Sequence, residues 1–136
     1  MPNDYSRLEH LKMIQAAIGR MAQNSFVLKG WSVTLITGMI VLAIDKGKAF
    51  AWLALFPAVV FWGLDAYYLR QERLFRALHD SVCKDNGKLS PFSLSTAAHD
   101  ESVSPWWKTL WAPTVLSLHG MVAAVVVIVL YVMTRK

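Results

Sequence analysis

Three ionisable side chains lie within or against long apolar runs: Lys29, Asp65 and His119. Lys29 falls near the start of the run at residues 26–44, Asp65 directly follows the run at 49–64, and His119 sits inside the run at 111–133. A charge held in hydrocarbon costs about 2.5–3.5 kcal/mol on insertion scales, and pairing or snorkelling lowers that cost. A lysine opposite an aspartate can be an ion pair that fixes helix register, or a gate or proton-linked site. A histidine can be a neutral imidazole bonded to Thr34 or Thr37 across a helix contact, or a titrating group that gates a pore or relays protons.

The spacing of these residues is informative. Lys29 lies 17 residues before Lys46 and Asp65 lies 18 after Gly47, so on two helices joined at a turn both sit roughly 26 Å from it. They can therefore meet. His119 lies eight residues past Trp111, or roughly 12 Å along a third helix.

About 20 apolar residues are needed for a helix to cross a bilayer. The run at 111–133 has no charge, the run at 26–44 has only Lys29, and the middle run reaches full length at Leu69 with Asp65 inside it. Fifty-five per cent of the 136 residues are apolar and six are tryptophan, and a soluble domain of this size could not bury three such segments. The fold class expected is all-α: a helical membrane protein with three transmembrane helices and a long antiparallel helical hairpin extending into the cytoplasm. The small-x-small tripeptide Ala49-Phe50-Ala51 follows too long an apolar run for a signal peptide, and another apolar segment comes at once.

Four stretches organise the chain: an amphipathic N-terminal helix at 1–25, a transmembrane hairpin with cytoplasmic extension at 26–82, a polar loop and interfacial anchor at 83–110, and a third transmembrane helix at 111–136. In the first, Ser6-x-x-Glu9 has the form of a capping box. Leu8, Leu11, Ile14, Ile18 and Met21 then form one helical stripe. The arm either continues into the first span or breaks near Gln23-Asn24-Ser25 to lie on the lipid surface; the continuous helix is the form expected. Helix formers continue past Asp65 with no breaker before Asn86-Gly87. The loop has a turn at Asp85-Asn86-Gly87, breaks at Pro91 and Pro105, and an acidic patch at His99-Asp100-Glu101; disorder or loose docking on the hairpin is expected of it.

Small residues at every fourth position mark helix-packing faces in lipid. Gly30, Thr34 and Gly38 form one, Ala54 with Ala58 a second, and Gly120 with Ala124 a third, while Pro57 is a site for a kink. Trp106, Trp107 and Trp111 flank Lys108 as interfacial anchors, and Pro113 suits a first helical turn.

Basic residues are retained on the cytoplasmic side. With the N-terminus inside, ten of the 14 fall there and only Lys46, Lys48, Arg135 and Lys136 outside. The localisation expected is a bacterial inner membrane, multi-pass, N-terminus cytoplasmic and C-terminus periplasmic. The net charge of +5 then attracts anionic headgroups and requires no nucleic acid. No catalytic motif, cofactor loop or metal-ligand spacing occurs, and Cys83 is the single cysteine. The expectation is a protein that is not an enzyme and carries no cofactor. Two roles are open: an oligomeric membrane effector or channel-like element responding to a cytoplasmic signal, or an accessory subunit that anchors or stabilises a partner. Partners expected are the lipid bilayer, further copies of the chain, and a cytoplasmic protein or signalling ligand.

Two stretches carry a resemblance. Asn24-Ser25-Phe26-Val27-Leu28-Lys29-Gly30-Trp31, and the run from Phe61-Trp62-Gly63-Leu64-Asp65 through Ala66-Tyr67-Tyr68-Leu69-Arg70-Gln71-Glu72-Arg73, resemble a group of small bacterial inner-membrane proteins with no assigned biochemical role. The likeness covers about the first 80 residues and leaves the loop and third span outside it. The hairpin architecture also resembles SLATT-type effectors, and that likeness implies membrane perturbation coupled to nucleotide-signalling or antiviral systems. Neither implies a functional residue.

Overall fold

The computed structural model describes residues 4–84 and 92–135. The loop features at Asp85-Asn86-Gly87 and Pro91, and the charges Lys88 and Lys136, lie outside the described residues. Those described form helices and connecting segments without a strand. Three helical stretches are long and apolar enough to cross a membrane, Asp4–Lys46, Ala49–Lys84 and Pro113–Arg135.

Helix α1, Asp4–Lys46, runs 43 residues without a break, roughly 65 Å at 1.5 Å per residue. No proline interrupts it and its glycines are isolated, so nothing forces a bend at Gln23-Asn24-Ser25. The chain is already helical at Asp4, which places Ser6 and Glu9 inside the helix rather than at a capping box. Glu9 instead takes Lys12 as an i,i+3 partner at 2.8 Å.

Gly47 ends α1 with φ 110°, a conformation that a side chain strains, and its N–H closes on the Ala43 carbonyl at 3.0 Å. The chain then reverses through α2, Ala49–Leu53, into α3, Leu55–Lys84. The interruption at Ala54 has a cause in the sequence. Pro57 has no N–H to give the carbonyl of Leu53, four residues back, so the ladder is cut one turn before the proline.

Helices α1 and α3 pack antiparallel along most of their length. Near the turn Ile36 and Ala43 meet Ala51, Ala54 and Ala58, and far from it Ile14 meets Leu78 and Val82 with Leu11, Ile18 and Phe75 around them. Helix α5, Pro113–Arg135, lies against the first region through Val126 and Leu130, and against the middle of α3 through Val115, which packs with Ala66. It begins at Pro113, two residues after Trp111, and the short helix α4, Trp106–Thr109, precedes both. Outward of this layer the spans present Trp31, Val41, Ile44, Phe56, Val59, Val127 and Ile128, an apolar surface that lipid solvates without penalty.

The segment before α4 is docked rather than loose. Arg70 pairs with Asp100 at 2.8 Å and donates to the Ser104 carbonyl, His10 bonds the Ser93 carbonyl at 2.7 Å, and Leu94 joins the distal cluster. Residues Ala97–Ser102 form a 3-10 turn beside α3.

Candidate functional site, a polar junction of three spans

The inward stripe of α1 carries Ser25, Lys29, Ser32 and Ile36, residues four, three and four apart, which a helix stacks on one face. Opposite them α3 presents Trp62, Asp65 and Ala66, and α5 presents Val115 and His119. The Asp65 side chain is fully buried and ties α3 to both other helices at once. Lys29 Nζ donates to its Oδ1 at 2.6 Å, Ser25 donates to the same oxygen, and His119 Nε2 lies 3.1 Å from Oδ2.

The bonds follow from chemistry and register. Lys29 also donates to Ser25 Oγ at 2.7 Å, which is the i,i+4 neighbour its stem reaches. The carboxylate accepts only, so the imidazole proton resides on Nε2 and donates to Asp65. That leaves Nδ1 as a bare acceptor. His119 Nδ1 and Ser32 Oγ are both buried without a hydrogen-bond partner.

Tryptophan walls the junction. The Trp62 ring lies parallel to His119, 8° apart with centroids at 6.5 Å, and Trp111 meets Trp62 edge-on at 6.0 Å. Trp62 Nε1 donates to the Leu110 carbonyl at 3.0 Å, and Trp106 Nε1 donates to the Gly63 carbonyl at 3.0 Å. Both indoles tie the segment ahead of α5 to α3, so His119 is held from two directions.

The residues singled out from sequence fall as follows. Lys29, Asp65 and His119 come together. Thr34 and Thr37 do not serve His119: both are exposed, Thr34 on the far side of α1 and Thr37 on its flank, away from the stripe that faces Asp65. Ala54 and Ala58 are buried against α1 and α5. Gly30, Thr34 and Gly38 are exposed, and a Cβ on either glycine would meet nothing within 4 Å. Gly120 borders only Leu116 of its own helix, and Ala124 is exposed. Of the anchors, Trp106 and Trp111 touch α3, whereas Trp107 carries the Lys108 ammonium over its ring at 5.3 Å.

Sequence reasoning passed over Ser25, Ser32 and Trp62. A signal was present for each: Ser25 and Ser32 flank Lys29 at i−4 and i+3, and Trp62 precedes Asp65 by three. Comparison with family models, with curated proteins and with solved structures finds no match. A serine, an aspartate and a histidine are adjacent, but Ser25 and His119 both bond the carboxylate rather than each other. The imidazole thus cannot take the serine proton directly, as a nucleophilic triad requires. Among the described residues no three His, Cys, Asp or Glu side chains converge as metal ligands.

Proposed function

We propose that this chain is a non-enzymatic, multi-pass inner-membrane protein that acts as an oligomeric, channel-like effector. Its N-terminus is cytoplasmic, its C-terminus is periplasmic, and the trigger is a signal received on the part of α1 and α3 that extends below the spans. The observation that carries this reading is the outward face of α1. Gly30, Thr34 and Gly38 combine a hydroxyl with two glycines and are exposed, and among the described residues nothing lies within 4 Å of a Cβ on either glycine. In lipid such a face gains by close approach to another helix, and a second copy of the chain would supply one.

The Asp65 junction supports a coupling role, because it joins the outward-facing helix to the other two in one bonded unit. Below it, the cleft lined by Gln15, Ile18, Arg76, His79 and Asp80, about 270 Å³ in volume, and the docked segment around Asp100 offer surfaces on which a protein or small ligand could act.

The test uses full-length protein purified in mild detergent and reconstituted in liposomes. A mass several times that of the protomer, with ion or dye leakage that Gly38→Leu abolishes, supports the reading. A monomeric mass with tight liposomes removes it, and co-purification of a second protein in fixed ratio turns the assignment to an accessory subunit.

A further inference from the structure

His119 holds its Nε2 proton toward Asp65 and keeps a basic nitrogen, Nδ1, sealed in the protein without a partner. An unpartnered buried acceptor costs about 1–3 kcal/mol, so its retention beside a carboxylate calls for an account. The charged groups that face it are few. From α1 there is Lys29, from α3 there is Asp65, α5 adds no other ionisable group near it, and Lys108 of α4 is turned outward over Trp107. Lys29 and Asp65 offset each other, so with a neutral imidazole the cluster has no net charge.

We infer that His119 Nδ1 is a proton-binding site, and that taking up a proton there moves α5 relative to α1. The proton comes from water and no covalent bond changes. The imidazolium formed gives the cluster a net charge of +1 and a second N–H donor with no acceptor where it stands. The register that sets Lys29 opposite Asp65 sets Ser32 opposite Trp62, the residue stacked on His119. Ser32 Oγ is the other orphan of this region, and a hydroxyl can accept from Nδ1–H. The two do not bond in the present arrangement, so satisfying the new donor requires α5 to turn or slide. The Trp62 ring, parallel to the imidazole with centroids 6.5 Å apart, lies just beyond the roughly 6 Å range of a cation–π contact, so a small approach of α5 would bring the cation within it.

The stack also supplies the readout, because a protonated imidazole quenches an adjacent indole. The full chain is placed in lipid nanodiscs and tryptophan emission is followed from about pH 8.5 to about pH 5, the span in which histidines commonly change charge. A single reversible fall in emission is expected. It disappears in His119→Gln and in Trp62→Phe, and persists in a variant carrying His10→Gln, His79→Gln and His99→Gln. In Ser32→Ala the midpoint requires roughly three- to tenfold more protons, the loss of one modest hydrogen bond. A fall that survives in His119→Gln, or no fall in the native chain, overturns the proposal.

Should His119→Gln fail to fold, nitrogen NMR on the chain whose only histidine is His119 reads Nδ1 directly. A nitrogen that stays unprotonated across the range overturns the proposal as firmly. This inference is independent of the channel reading. Tight liposomes leave it standing, and a histidine that does not titrate leaves the channel reading standing.

Discussion

Replacing Asp65 by asparagine keeps the shape of the side chain and removes its charge, which isolates the electrostatic part of the junction. Asparagine can still accept from Ser25 and Lys29, so the main loss is the counter-charge to an ammonium whose side chain is only a quarter exposed. On insertion scales that leaves an unfavourable term of about 2–3 kcal/mol, reduced somewhat by snorkelling. Lys29→Met is the more damaging partner change, because it strands a carboxylate that is fully buried, and breaking a buried pair from one side costs about 3–5 kcal/mol. Making both changes removes both charges and leaves the introduced amide accepting from Ser25 and, once the imidazole proton moves to Nδ1, donating to His119 Nε2, for a net loss of about 1 kcal/mol at the strength of intramembrane hydrogen bonds. The double variant is therefore expected to be more stable than Lys29→Met alone. The coupling reaches about 3 kcal/mol or more, the upper end for residues in contact. Reversible unfolding in mixed micelles of mild detergent and dodecyl sulfate, followed by helical signal, measures all four corners of this cycle. Losses that simply add to within about 0.5 kcal/mol would refute a pair bonded in the way described.

Four further outcomes follow from particular contacts. Gly47→Ala places a side chain at φ 110° and is expected to destabilise the turn by about 1 kcal/mol or more, read in the same unfolding assay. Trp106→Phe removes the donor to the Gly63 carbonyl; amide exchange in residues 105–112 should accelerate while exchange in the centre of α1 is unchanged. Arg70→Gln cuts the ties to Asp100 and Ser104. Because Asp100 is largely exposed, stability should shift by less than about 1 kcal/mol, yet limited proteolysis within 97–104 should speed up markedly. A Cβ at Gly38 meets nothing within 4 Å among the described residues, so in Gly38→Leu helix content and thermal unfolding of the protomer should be unaltered; if the proposed oligomer forms through this face the mass in detergent falls, and an unchanged mass removes the face from that proposal.

Much of the architecture is legible in the residues. Three apolar runs, the lack of any proline or glycine pair through residues 5–44 and the nearly equal distances of Lys29 and Asp65 from the turn are one-dimensional facts, and each constrains a helix whatever its neighbours do. The break at Ala54 is half legible: Pro57 announces a fault, but it takes the hydrogen-bond ladder to place it a turn earlier. The docking of the polar segment escapes a sequence reading because its anchors are single long-range contacts. Arg70 to Asp100 and His10 to Ser93 connect residues 30 and 83 apart, and no local pattern records such distances.

His119 shows where the division lies. From sequence it is an ionisable group in hydrocarbon, and the hydroxyls of Thr34 and Thr37 are equally available partners. Which group it meets depends on the azimuth at which α5 packs on the other two helices. That angle is set by Val126 and Leu130 in the apolar layer and by Trp62 and Trp106 gripping the segment before α5. Sequence periodicity determines which side chains share a face of one helix. Only the packed structure decides which faces meet, because a rotation of α5 by one residue, about 100°, would carry His119 off the carboxylate without altering a single letter of its hydrophobic pattern.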